Sequence, residues 1–375
     1  MATHVRSYSK INLGLSIGSP RPDGFHELTT IYQTLALHDL VTVTARVTPG
    51  RASEISLTSN HPFVPPNAKN TAWRIVEAAL MAMGISARVC IDIDKRLPVQ
   101  GGLGGGSANA VAALVGLESE LAKQGRGRQR GGRGFDDAAR VRLAASIGSD
   151  VPLFLIGGTM LGLGRGEEVH PLPDLPVTEC VIVSPGIGVS TPQAFADWDF
   201  LQAGVPNDEG SALTAAGQSD RVEGLSRSFA AVLVASAQGG PHSSGVFSWR
   251  EGLAENPLLA LVRTGIENDF ERVVFPKYPL LGTIKRVLSG SAAAPGLDTG
   301  VPECAVGHAA MWAGLSGSGS ALFGLYSSAE AAEAAVRRIE AFGLETRGVG
   351  AQGVKAFRTK TLPRQDYWSG MLIEA

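Results

Sequence analysis

The stretch Pro98-Val-Gln-Gly-Gly-Leu-Gly-Gly-Gly-Ser107 constrains this chain more than any other, because five of the six positions from 101 to 106 are glycine. Before it, Val89, Ile91 and Ile93 alternate with Arg88, Asp92 and Asp94, the period of a half-buried strand. After it, Ala110, Leu114, Leu117 and Leu121 recur at helical spacing and predict a helix over 108–123 with one apolar stripe. The glycines therefore join a strand to a helix N-terminus. Such a terminus carries unpaired backbone N–H groups and a partial positive charge. Glycines ahead of it let an anion reach the main chain, so the arrangement suits a triphosphate. Two familiar phosphate loops do not fit. Gly101 and Gly106 have Walker A spacing, but Ser107 and Ala108 follow where Lys-Ser/Thr is needed. Gly102-x-Gly104 is followed by Ser107 where a dinucleotide fingerprint needs its third glycine.

At 375 residues the chain is long for one domain and predicts about two, mixed α/β, with a junction near residue 170, so 1–170 and 171–375. Strands are expected at 5–18, around Val41–Ala45 and Ile55–Leu57, and at Cys180–Val183. Helices are expected at Thr71–Met83, near Leu258–Phe270 and at Ala329–Phe342, with turns at Pro20–Gly24 and Ser316–Ser320. Residues 124–134, 203–252 and 289–307 read as insertions rich in small residues or arginine. A net charge of −2 argues against a surface built for nucleic acid. Cys90, Cys180 and Cys304 have neither disulfide-framework nor zinc-ligand spacing. The N-terminus lacks signal-peptide layout, and the weakly polar run 151–164 is too short to span a bilayer. A cytoplasmic protein without membrane or nucleic-acid partners, monomeric or homodimeric, is expected.

Pro98 to Ala108 resembles the second signature of the GHMP kinases. Ser9-Lys10-Ile11-Asn12-Leu13, Gly148-Ser-Asp150-Val-Pro152 and Gly314-Leu-Ser-Gly-Ser-Gly-Ser320 resemble other motifs of that superfamily, in the right order. Arg21-Pro-Asp-Gly-Phe-His-Glu-Leu28 resembles a block particular to its diphosphocytidyl-methylerythritol kinase branch. The match runs from about residue 5 to about 360. Gln100, Ala108, Ser9 and Phe25 depart from the usual glycine, serine, alanine and tyrosine.

The resemblance implies a two-lobed α/β fold, the N-terminal lobe like ribosomal protein S5 domain 2 and the C-terminal one ferredoxin-like, with the active site in a cleft. It also implies ATP and Mg²⁺ as cofactors and a cytidine diphosphate-linked polyol as substrate. Asp150 matches the catalytic aspartate and Lys10 its lysine. Pro98, Val99, Gln100, Gly101, Gly102, Leu103, Gly104, Gly105, Gly106, Ser107 and Ala108 would hold the nucleotide, with Ser107 near Mg²⁺. Phe25 and Phe195 would stack on cytosine, His26 would bond its edge, and Asn12 and Thr191 would meet the polyol or its phosphates. Lys95 and Arg96 would either help neutralise phosphate or form a solvated pair.

Three other readings stay open at this level. A homoserine- or mevalonate-type kinase would share the glycine loop without needing the 21–28 block. Arg126, Arg128, Arg130 and Arg133 could bind RNA, although a solvated insertion diluted by Asp136 and Asp137 is the simpler reading. A chain that binds ATP without turnover is compatible with Gln100 and Ala108.

Overall fold

The computed structural model describes residues 2–99, 101–126, 136–203, 267–290, 308–345 and 353–373. Gln100, Cys304, Arg128, Arg130, Arg133 and nearly all of the three insertions lie outside the described residues, as does most of the helix expected near Leu258–Phe270. The chain divides into two compact units. Unit 1 comprises Met1–Ile11, Tyr32–Leu172 and Thr359–Ala375; unit 2 comprises Asn12–Ile31 and Pro173–Arg358. Strands β1 (Thr3–Pro20) and β2 (His26–Val47) are long because each contributes residues to both units.

Unit 1 is built on a sheet containing β3 (Glu54–Ser59), β4 (Ala87–Asp94), β5 (Thr159–Leu163), β6 (Glu168–Pro171) and β11 (Leu372–Ile373). The order is β11-β1-β2-β4-β3, with β5 on β2 and β6 on β5. Val41 faces Ile93, Val43 faces Ile91 and Ala45 faces Val89 across the antiparallel β2–β4 ladder. Strands β3 and β4 are parallel, which requires a crossover, and helix α1 (Thr71–Met83) supplies it. Its boundaries follow from local chemistry. The Asn70 side chain accepts a hydrogen bond from the Ala72 N–H at one end, and Gly84 takes φ 64° at the other. Between them Ala72, Ile75, Val76, Ala79 and Leu80 recur at i, i+3, i+4, i+7 and i+8, and all are buried. Burial of Ile75, Val76 and Leu80 contributes roughly 1.5–3 kcal/mol each.

Helix α2 (Gly105–Ala122) departs from the expected single stripe: every residue from 108 to 117 is buried. It packs against α1 and approaches β2 closely, for a Cβ on Gly116 would lie 2.6 Å from a Val43 methyl. Helix α3 (Asp137–Ile147) follows, capped by Asp136, which accepts from the Ala139 N–H at 2.5 Å. The run 151–164 becomes a short 3₁₀ turn, Pro152–Leu155, and then β5. Among the described residues no helix is long and apolar enough to cross a membrane.

A second sheet runs in the order β10-β7-β9-β8, from β7 (Glu179–Ser184), β8 (Trp312–Leu315), β9 (Leu322–Tyr326) and β10 (Lys355–Lys360), all in unit 2 except the last two residues of β10. The described helices of unit 2 are α4 (Thr191–Ala203), α5 (Glu271–Lys277), α6 (Pro279–Ser289) and α7 (Ala329–Glu345). Helix α8 (Arg364–Met371) belongs to unit 1. Leu281, Ile284, Val287 and Leu288 of α6 join Ala331, Ala335, Ile339 and Phe342 of α7 in one core with Leu15 and Ile17. The glycine-serine turn at 316–320 links two strands, β8 and β9, and Asn268 to Phe270 form a turn ahead of α5 rather than a helix end.

Candidate active site

In unit 1 the glycine loop, α2 and β1 meet at one place. Gly102 and Gly104 adopt φ 75° and 71°, a region that L side chains avoid. Gly104 is also the residue before the first turn of α2, and a Cβ there would lie 2.7 Å from Phe154 Cζ and 3.0 Å from Lys10 Cγ. The Lys10 N–H donates to the Leu103 carbonyl at 3.0 Å, tying β1 to the loop. Helix α2 has no side-chain cap and no acidic residue in its first turn. Its leading amides are thus suited to an anion.

Pro98, Val99 and residues 101–107 line a cavity of about 410 Å³. Asn70 and Thr71, at the N-terminus of α1, line it too, so two helix starts border the same space. Phe63, Val64 and Pro65 provide an apolar wall. Thr71 Oγ1 donates to the Gly106 carbonyl at 2.6 Å. Ser107 borders the cavity, whereas the Ala108 methyl is part of the unit 1 core.

The structure brings Lys10 and Asp150 together. The ammonium lies 3.5 Å from Asp150 Oδ2, with the lysine side chain 4% and the aspartate side chain 34% exposed. The Tyr32 hydroxyl donates to Asp150 Oδ1 at 3.2 Å and faces the Gly166 carbonyl at 3.4 Å. The Lys10 ammonium sits 5.4 Å from the centre of the Tyr32 ring. Burial, and then the Asp150 charge, push the Tyr32 phenol well above its ordinary range, so it stays a proton donor.

Lys95 is not one of a solvated pair. Its ammonium is buried and paired with Asp39, a carboxylate with no solvent exposure. Asp39 also accepts from the Arg96 and Leu97 N–H groups, each at 2.8 Å, and from the Asn109 amide at 3.0 Å. One buried carboxylate thus ties the approach to the glycine loop to the first turns of α2, and Lys95 still lines the cavity. Arg96 pairs with Asp94 at the surface.

The remaining candidates lie in unit 2. His26 and Phe195 stack on each other, with ring centres 5.1 Å apart and planes 11° from parallel, and Phe195 meets Phe270 edge-on at 4.9 Å. His26 Nε2 pairs with Asp199 Oδ1 at 2.7 Å. Phe25 is half exposed. Asn12 is buried, and its amide donates to Thr30 Oγ1 at 2.8 Å. Thr191 shares a 2.7 Å hydrogen bond with Ser318 in the glycine-serine turn. The Asn268 amide holds that turn by donating to the Leu315 and Gly317 carbonyls, both at 2.8 Å.

Tyr32, Asp39, Asp199 and Asn268 are the residues that sequence reasoning missed. Only Asp39 carried a local signal, as a charge within the otherwise apolar run Leu35, Leu37, Val41, Val43.

Residues 70–158 match the GHMP kinases N terminal domain family. A 4-diphosphocytidyl-2-C-methyl-D-erythritol kinase from Solibacter usitatus is 36% identical over 343 residues, covering 92% of this chain and 86% of that protein. One from Acaryochloris marina is 32% identical over 332 residues, covering 88% of each. A crystal structure of 4-(cytidine 5′-diphospho)-2C-methyl-D-erythritol kinase, 25% identical, aligns with 95% of this chain and 98% of its own at a TM-score of 0.57. Homoserine kinase from Cytophaga hutchinsonii, 18% identical, aligns over 98% and 96% at 0.59 and shares the fold.

Proposed function

The chain belongs to the 4-diphosphocytidyl-2-C-methyl-D-erythritol kinase family, and from that premise we infer that it transfers the γ-phosphoryl group of ATP to the 2-hydroxyl of 4-diphosphocytidyl-2-C-methyl-D-erythritol. This is a step in making isoprenoid precursors without mevalonate. The observation that carries the residue assignment is the Lys10–Asp150 pair, 3.5 Å apart, with Lys10 on a strand hydrogen-bonded to the glycine loop.

Phosphoryl transfer needs positioning and charge stabilisation more than covalent chemistry. The amides at the start of α2 would hold the ATP phosphates, and the Phe63–Pro65 wall would receive the base. Asp150 would take the proton of the acceptor hydroxyl as its oxygen bonds to the γ-phosphorus and the bond to ADP breaks. The Lys10 ammonium would draw charge from the attacking oxygen.

Mg²⁺ tends to keep several waters and to be held by one or two carboxylates plus substrate phosphates. The cavity lining offers the Ser107 hydroxyl, so the ion would be held mainly by the nucleotide phosphates. Bound with the nucleotide, it would neutralise phosphoryl charge. In unit 2, Phe25 would stack on cytosine. His26, held by Asp199 and stacked on Phe195, is pre-oriented to present its remaining ring edge. Asn12 and Thr191 would contact the polyol or its phosphates.

ADP release measured with the cytidine-diphospho-polyol, the polyol phosphate lacking CMP, homoserine and mevalonate tests this reading. Turnover confined to the first is expected; turnover on homoserine or mevalonate instead would replace it with another kinase of the superfamily.

A further inference from the structure

The Asp150 carboxylate sits on the turn between α3 and the 3₁₀ segment and is one-third exposed. A side chain so placed needs something to hold it if it is to take a proton along one direction. Lys10 approaches Oδ2 at 3.5 Å, which is long for a hydrogen bond although close enough for charge pairing. The Tyr32 hydroxyl reaches the other oxygen, Oδ1, at 3.2 Å. Tyr32 is itself fixed: it is 2% exposed, and its ring lies under the Lys10 ammonium. Gly166 leaves room for the hydroxyl, since a Cβ at that residue, whose φ is 98°, would collide with it. The two carboxylate oxygens are thereby distinguished, one held by a neutral donor and one facing an ammonium.

We propose that Tyr32 is a positioning residue for phosphoryl transfer, its hydroxyl fixing the Asp150 carboxylate in the orientation from which it accepts the acceptor's proton. This rests on the reading of Asp150 as the base. A tyrosine with a purely packing role would support the fold through its ring and would satisfy its hydroxyl on any nearby acceptor. A positioning tyrosine acts through Asp150 and through nothing else.

A double-mutant cycle separates the two. Wild type, Tyr32→Phe, Asp150→Asn and the double variant are compared for kcat and both KM values, below each protein's melting transition. Tyr32→Phe keeps the ring and removes one oxygen. It should lower kcat about tenfold, the loss expected for a hydrogen bond to a charged group. Both KM values should stay within about twofold, since no substrate contact is removed. In the Asp150→Asn background the same change should have no further effect. Wild-type kcat in Tyr32→Phe, or the same fold-loss in both backgrounds, would overturn the proposal while leaving the base assignment standing. Normal turnover in Asp150→Asn would remove the base assignment and the proposal with it.

Discussion

Replacing Gly104 with alanine tests two constraints at one atom. The residue sits at φ 71°, which for an alanine costs roughly 1–2 kcal/mol. The new methyl would also lie 2.7 Å from Phe154 Cζ, and Phe154 has no solvent exposure into which its ring could move. Overpacking of this kind costs about 1–3 kcal/mol. The sum, roughly 2–5 kcal/mol, is a large share of the about 5–15 kcal/mol that holds a typical protein folded. Because Lys10 Cγ would be 3.0 Å from the same methyl, the folded fraction should also have a displaced lysine and reduced turnover. Gly106→Ala is the control. It has open space beyond Thr71 Oγ1 at 3.7 Å, so its stability should stay within about 0.5 kcal/mol of wild type. Urea denaturation of both variants, with turnover measured alongside, gives the comparison. A Gly104→Ala protein as stable and as active as wild type would refute both the loop geometry and its contact with Lys10.

Two further substitutions probe the supporting structure. Asp39→Ala leaves the buried Lys95 ammonium without its partner and removes the acceptor for three other donors, so it should destabilise unit 1 by about 3–5 kcal/mol; an unchanged denaturation midpoint would contradict the assigned hub. Phe25→Ala should raise KM for the cytidine substrate roughly 5- to 150-fold, about 1–3 kcal/mol of lost stacking, and leave KM for ATP near wild type; an unchanged acceptor KM would argue against stacking.

The strand–glycine–helix passage was legible because each part has a local signature: alternation in Val89–Ile93, missing side chains at 101–106, and helical spacing from Ala110. Lys10 and Asp150 were legible only as members of motifs, since neither residue is unusual in its own surroundings. What the sequence understated was the burial of α2. A single stripe is what a surface helix needs, whereas this helix is buried on nearly every side, and its many alanines and Gly116 are the mark of that crowding. Tyr32 was hidden because its partner lies 118 residues away, and Asp39 because its partner lies 56 residues away. Side-chain pairing over such separations leaves no periodicity to read. His26 was expected to offer its ring to cytosine; that one nitrogen is already engaged by Asp199, four residues beyond Phe195 on α4, emerges only once both segments are placed.

On the proposed reading, Asp150 beside Lys10 takes the acceptor's proton as the phosphoryl group is transferred. Rapid-quench single turnover, with enzyme in excess over the cytidine-diphospho-polyol and saturating ATP, reads that step directly. Asp150→Asn should bind ATP as wild type does and form the phosphorylated polyol at least about a hundredfold more slowly, a barrier rise of about 2.7 kcal/mol. Product formed at the wild-type rate would contradict the account.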